Sequence, residues 1–417
     1  MSLTNPPPWI GPLLCWNLVQ SVTGLTVTFT PSTSPIRPIA AITTAILAYL
    51  LQVTMKTHFS GTRASGPLVA MCWVNVLNAI DLLVITQASY EAQLAYKTTK
   101  QEKKDISSTT THESSLGWGR KLLFALEIPY NSRRINTPWT ISRVPPFNPD
   151  NPTYVPSRTS FLLHSALKLL ISAAILTFLT IDPNDPHLSS VITQLNTDKT
   201  VLFFSPFHSF DARKFKIQCL FTLSFAIVTR ATIVGGYTSL AFIFVLCGSS
   251  PSNWPPIAGG FGDAYTLAGL WGSTWHQLLR RPLTSPTTFL LTTLLGIPPK
   301  SPLAHWTRIL LTFTASGIIH STMDIAFGVP VEKTGGVWFF TLQIVGLLVE
   351  TFFQRFVTWS GVTLNTSSKK VVGYIWVAGF LGWSVTVWIN PVLVGLWEGR
   401  TRVMSPWLGM APTAFAL

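Results

Sequence analysis

The sequence predicts an all-α, polytopic integral membrane protein with eight to ten transmembrane helices. Three observations predict it. The chain has 417 residues, of which 47% are hydrophobic and only 11% charged. A soluble domain carries roughly 25% charged residues, so most of this surface does not face water. Several apolar runs reach the length of about 20 residues that a helix needs to cross the bilayer core. Sixteen Trp and 26 Phe suit interfacial aromatic belts around lipid-facing helices.

The net charge of +13 does not call for a nucleic-acid partner. Basic loops facing anionic lipid on the cytosolic side account for it, together with a phosphate-bearing substrate. Cys15, Cys72, Cys219 and Cys247 fit neither a metal motif nor a disulfide framework and read as small apolar residues. The N-terminus has no basic n-region of a cleavable signal, so the first span is expected to act as an uncleaved anchor.

In chain order, residues 9–29 form a weak span rich in Thr, Ser and Asn, and 36–53 a stronger one. Residues 67–88 form a third, carrying Asn75, Asn78 and Asp81. A carboxylate at that depth must face protein or a water-filled cavity, and an interhelical hydrogen bond is its simplest use. These N-terminal transmembrane helices (1–88) precede a polar, basic, partly disordered loop over 89–160. It has ten Lys/Arg against six Asp/Glu and a Ser/Thr tract from Ser107 to Thr111. It is placed on the cytosolic side. Residues 161–417 form the third region, with spans at 161–180, 217–248, 303–323, 336–357 and 371–397 and a polar stretch at 181–216. The 217–248 run is long for one span and contains Arg230 and Gly235-Gly236. It reads as one long tilted helix or as two helices meeting near Gly235.

Chemistry concentrates in two places. His320 lies in the helix predicted over 303–323, with Ser316 and Asp324 four residues away on the same face. A desolvated, neutral imidazole suits a general base, although a packing histidine bonded to a neighbouring helix is equally consistent. The segment 237–281 packs Pro251, Pro255, Pro256, Gly259, Gly260 and Gly262 ahead of Trp271, Trp275, His276, Arg280 and Arg281. That composition predicts a broken, partly re-entrant segment leading into a short helix, which is tolerated at membrane depth only where protein covers it or it lines a cavity. Taken alone, Trp275 and His276 read more readily as an anchor at a headgroup boundary than as a site. Gly259-Gly-Phe-Gly262 has the wrong spacing for a dinucleotide fingerprint. The eight His are scattered, with no His-x-x-x-His or Cys-x-x-Cys, so no metal is expected. No Gly-x-Ser-x-Gly elbow occurs. His320-x-x-x-Asp324 looks like the His-x-x-x-Asp of soluble acyl-CoA:alcohol acyltransferases. With Ile325 in place of the usual glycine and a different fold, that likeness is taken as chance.

The run Leu270-Trp-Gly-Ser-Thr-Trp-His276-Gln-Leu-Leu-Arg-Arg281 resembles the fungal wax-synthase-like branch of the membrane-bound O-acyltransferases. In the related diacylglycerol acyltransferases the matching pattern is Phe-Tyr-x-Asp-Trp-Trp-Asn. Leu270 and Trp271 stand for Phe-Tyr, Trp275 for the last Trp and His276 for the Asn, while Ser273 replaces the Asp. His320 is similar to the family's downstream His in an apolar helix. Asn136-Thr-Pro-Trp139…Pro145-Pro-Phe147 looks like the family's Gly-Thr-Pro-Trp…Pro-Pro-Phe stretch. The resemblance implies a buried acyl-transfer tunnel in the 161–417 core and an acyl-CoA:alcohol O-acyltransferase of the endoplasmic reticulum. It implies no permanently bound cofactor, acetyl-CoA as co-substrate and an apolar alcohol as acceptor, a terpenoid or meroterpenoid hydroxyl. His320 would then be the base and His276 its substrate-orienting partner, with Trp275, Arg280 and Arg281 on the CoA side. A long-chain wax or sterol acyltransferase is the alternative within the class. Outside it stand a membrane terpene cyclase using Asp81, Asp263, Asp324 or Glu350, and a non-catalytic transporter.

Overall fold

The computed structural model describes residues 9–60, 62–105, 117–195, 211–363 and 365–407. The Ser107–Thr111 tract expected to be disordered, and residues 196–210 of the expected polar stretch, lie outside them. The helices in order are α1 (Ile10–Phe29), α2 (Ile36–His58), α3 (Ser65–Ile80), α4 (Tyr90–Asp105), α5 (Trp118–Glu127), α6 (Arg158–Phe178), α7 (Pro186–Ile192) and α8 (Ala212–Leu246). They continue with α9 (Leu267–Gly269), α10 (Arg280–Phe289), α11 (Pro302–Ala326), α12 (Gly336–Trp359), α13 (Thr366–Ser384) and α14 (Thr386–Glu398). Two short strands, β1 (Thr180–Ile181) and β2 (Val403–Met404), pair antiparallel. Among the described residues, seven helices are long and apolar enough to cross a membrane, and the bent pair α13–α14 makes an eighth. The all-α polytopic expectation therefore holds, at the lower end of its range.

Two expectations about single elements resolve. The 217–248 run is one continuous helix, α8, of 35 residues. At 1.5 Å per residue it is about 52 Å long, well beyond the roughly 30 Å hydrocarbon core. Gly235 does not break it. A Cβ there would meet the Ser172 side chain at 3.2 Å, so the missing side chain serves close packing against α6. The last span, by contrast, is bent by 51° between α13 and α14.

The chain forms two compact units. One comprises residues 1–59, 68–142 and 278–308, the other 60–67, 143–277 and 309–417. In the first, two threonine hydroxyls of α1 and its C-terminal cap bond back to their own helix. Thr23 Oγ1 donates to the Val19 carbonyl and Thr30 Oγ1 to that of Thr26. Arg37, buried at the start of α2, donates to the Val27 and Thr30 carbonyls, which the end of α1 leaves open, and to that of Ala88.

In the second unit the core is aromatic. Phe225, Phe339, Phe340, Trp388 and Trp407 pack with Ile389, Val392 and Leu393. Helices α11 and α12 meet backbone to backbone: a Cβ on Gly317 would lie 2.6 Å from Val337 Cα, and one on Gly336 would lie 2.9 Å from the Gly317 carbonyl oxygen. This glycine contact, one turn before His320, brings the start of α12 and its Phe339 and Phe340 against the His320 face of α11. The Thr180↔Met404 and Ile181↔Val403 pairs close the unit, with Arg402 donating to the Thr180 carbonyl.

Candidate active site

The segment between α8 and α10 folds as a broken ribbon. Pro251–Asn253 and Phe261–Asp263 are single 3-10 turns, and the short α9 runs into a π-turn over Leu270–Thr274. The chain becomes extended at Trp275 (φ −73°, ψ 177°). His276 and Ala258 then form an antiparallel bridge. The Gly259 amide donates to the Ser273 carbonyl and the Gln277 amide to that of Ile257, both at 2.9 Å. Glu350 of α12 holds the other end: its Oε2 accepts the Leu267 amide at 2.7 Å, while Thr266 Oγ1 caps Gly269. The expected re-entrant segment is thus an irregular ribbon whose backbone groups are bonded within protein, as such backbone requires at membrane depth.

His276 is half-buried at the wall of a small open cleft, lined also by Arg230, Ile233, Val234, Ala258 and Trp275. Its Nδ1 is shut off from solvent and has no hydrogen-bond partner. Burial pushes the His276 imidazole down to about 3, and the positive charges available to His320 and Arg230 add to that shift. The ring is therefore neutral at physiological pH.

His320 stands on α11. Its Nδ1 lies 2.7 Å from the Ser316 carbonyl oxygen. A carbonyl can only accept, so Nδ1 carries the proton and Nε2 presents its lone pair. Phe340 lies against the imidazole at 4.3 Å between centroids, and Trp388 meets it edge-on at 5.0 Å. The indole N–H of Trp388 donates to Asp324 Oδ1 at 3.0 Å. Asp324 thus reaches His320 through Trp388, and Ser316 through its backbone carbonyl instead of its hydroxyl. The shared face read from the sequence is real, but its contacts are indirect.

Trp271 joins the two histidines. Its ring is 6.3 Å from Trp275 and 6.0 Å from Phe340, and those rings flank His276 and His320 respectively. Gln343 accepts the Trp271 indole N–H at 3.2 Å, which fixes the ring. The second unit thus brings His276, Trp275 and His320 onto one aromatic wall.

Arg280 and Arg281 belong to the first unit. Arg281 donates through Nε to Asp81 Oδ2 at 2.8 Å and through Nη2 to Thr86 and Asp81 Oδ1. Arg280 donates to the Ser142 carbonyl at 2.9 Å. Trp388, Phe340, Gln343 and Arg230 escaped the sequence reading. Only Arg230 gave a signal, as an arginine within an apolar span. Among the described residues no three His, Cys, Asp or Glu side chains converge to hold a metal ion.

A neutral imidazole with an open lone pair, beside a second neutral imidazole in an aromatic wall, is suited to moving a proton away from water. Residues 254–342, which contain both histidines, match the model of the membrane bound O-acyl transferase family. The chain is 26% identical to acetyltransferase fsoF of Humicola fuscoatra, over 85% of this chain and 89% of the relative. It is 26% identical to acetyltransferase aurG of Calcarisporium arbuscula, over 91% and 92%. With acetyltransferase atnC of an Arthrinium species it shares 30% identity, over 62% of this chain and 60% of the relative. No solved structure matches. These findings bear out the likeness to the membrane-bound O-acyltransferases and support a multi-pass membrane protein similar to acyltransferases. Its curated relatives are fungal acetyltransferases.

Proposed function

We propose that the protein transfers an acetyl group from acetyl-CoA to a hydroxyl of an apolar terpenoid or meroterpenoid, in the endoplasmic reticulum membrane. The observation that carries this reading is the fixed tautomer of His320, whose Nε2 lone pair is directed away from its own helix bond. The acceptor alcohol loses its proton to Nε2 as its oxygen attacks the thioester carbonyl. The C–S bond then breaks, and the proton passes from the imidazolium to the departing CoA thiolate. General base catalysis of this kind contributes about 10²- to 10⁴-fold. No covalent enzyme intermediate is needed.

His276 is neutral and has an unpartnered nitrogen, which suits a hydrogen bond to the carbonyl oxygen as negative charge develops there. Trp275 walls the same cavity. Arg280 and Arg281, read from the sequence as CoA-phosphate ligands, are held within the first unit by Ser142 and Asp81. The acetyl group is favoured by the names of the relatives, and an apolar acceptor by the aromatic wall. The carboxylates required for a membrane cyclase all accept structural hydrogen bonds: Asp81 from two arginines, Asp263 from Ser273, Asp324 from Trp388 and Glu350 from Leu267. That favours transfer over proton-initiated cyclisation.

The test is a panel of labelled acyl-CoAs against terpenoid alcohols in microsomes containing the full chain. Labelled acetyl ester above the vector control is expected, with palmitoyl-CoA a poor donor. Ester formation from palmitoyl-CoA alone would shift the reading to a wax or sterol acyltransferase, and no ester from any donor would end it.

A further inference from the structure

Arg230 lies on α8, outside the 254–342 segment that matches the family model. Its Nη1 donates to the Thr274 carbonyl and its Nη2 to the Gly259 carbonyl, both at 2.9 Å. Those carbonyls belong to opposite sides of the ribbon. Gly259 follows Ala258, the bridge partner of His276, and Thr274 stands two residues before His276. The guanidinium lies 4.7 Å from the centroid of the Phe261 ring. It also lines the cavity that His276 lines. An arginine within an apolar span is costly to keep, and backbone carbonyls are among the partners that make it tolerable. Here they are the carbonyls of the strand that carries a proposed active-site imidazole.

We propose that Arg230 is a positioning residue for His276. By tying the two sides of the ribbon together it fixes the direction in which the imidazole meets the bound thioester. This rests on the reading of His276 as the group that binds the thioester carbonyl. The fork geometry is essential: lysine offers a point charge on a flexible stem and cannot hold two carbonyls while lying flat on an aromatic ring.

The experiment is a double-mutant cycle on the full chain in microsomes, with Arg230→Lys, His276→Ala and the pair. Arg230→Lys keeps the charge. It is expected to lower kcat about tenfold with KM for acetyl-CoA within about twofold, and to cost less than about twofold further once His276 is Ala. Phe261→Leu removes the ring beneath the guanidinium and should lose about threefold, a loss that also vanishes in the His276→Ala background. Thermal unfolding checks that the variants are folded. If Arg230→Lys does not fold, Phe261→Leu decides alone. Losses of equal size in both backgrounds overturn the positioning role while leaving the acyltransferase reading standing. A wild-type chain that transfers no acyl group overturns both.

Discussion

Asp81 and His320 are both ionisable residues in apolar spans, and their surroundings treat them in opposite ways. In the first unit Asp81 accepts from Arg134 at 2.6 Å, from Arg281 at 2.8 Å and from Thr86 at 2.8 Å, and also from Ser285. Its side chain and that of Arg134 have no exposed surface. Arg134 adds a bond to the Asn131 carbonyl, and Asn78 donates to that of Pro129. Every strong acceptor position of the carboxylate is occupied. In the second unit His320 bonds the Ser316 carbonyl of its own helix through Nδ1, which leaves Nε2 for the proposed substrate. His276 has a buried nitrogen with no partner at all. Satisfied buried polar groups hold a fold together. Unsatisfied ones are expensive and occur in both units, at Arg134 Nε and Asn78 Oδ1 as well as at His276 Nδ1, but His276 lines a cleft.

The largest expected effect separates the two regions most sharply. His320→Ala should lower kcat about 10²- to 10⁴-fold, because the proposed general base is lost. It also removes the packing of the ring on Phe340 and Trp388, so the thermal unfolding temperature of the detergent-solubilised protein should fall modestly, and less than in Asp81→Ala. A variant that retains wild-type turnover would show that the proton goes elsewhere. Asp81→Ala should do the reverse. Removing one partner of a buried ion pair typically costs about 3–5 kcal/mol. Here it leaves Arg134 buried with its counter-ion gone, so poor accumulation and a lowered unfolding temperature are expected. The turnover of whatever folded protein remains should fall far less than in His320→Ala. An Asp81→Ala protein with wild-type stability and no activity would erase the contrast.

Trp388→Phe tests the border between the two kinds of site. The indole N–H bonded to Asp324 is lost while the ring against His320 and Phe339 is largely kept. Leaving the carboxylate without that donor should cost about 1–3 kcal/mol of stability. Turnover should fall modestly, because the wall of His320 loosens while its tautomer does not depend on Trp388. Unfolding and initial-rate measurements on the same preparation separate the two effects. A large loss of rate with unchanged stability would make Asp324 part of the chemistry.

Much of this contrast was legible in the sequence. Low charge and apolar length predicted the helices, because span length is fixed by the bilayer and needs no tertiary information. His320 was legible because an ionisable residue stands out in an apolar helix, and His276 because it sits in a dense Trp/Gly/Pro segment. The use of Asp81 as a structural acceptor followed from depth alone. Its partners did not: Arg134 lies in a turn-rich stretch with positive φ at Arg134, Asn136 and Arg143, and such turns carry no periodic signal. Trp388 and Phe340 were hidden for a different reason. In a chain with sixteen Trp and 26 Phe, an aromatic that packs on a catalytic ring looks like any other lipid or core aromatic. The close glycine contacts at the start of α12, Gly336 against Gly317 and Gly335 against Val387 and Trp388, single them out.

The smallest expected effect is a pH dependence belonging to the second unit. Burial holds the His276 imidazole at about 3, against an ordinary value of 6.5. Between those values the unfolded chain takes up a proton that the folded chain refuses. The stability associated with the neutral ring is therefore fully present above pH 6.5 and is lost progressively as pH falls towards 3. The slope is at most about 1.4 kcal/mol per pH unit. His276→Gln cannot titrate and should flatten that slope between pH 6.5 and 5, measured by unfolding in matched buffers. The same reasoning fixes the kinetics: His276 stays neutral from pH 6 to 8, so any inflection of kcat/KM in that range must come from another group and must survive in His276→Gln. An inflection that disappears in that variant would mean the ring takes a proton in the working enzyme, and the neutral carbonyl-binding role would fall.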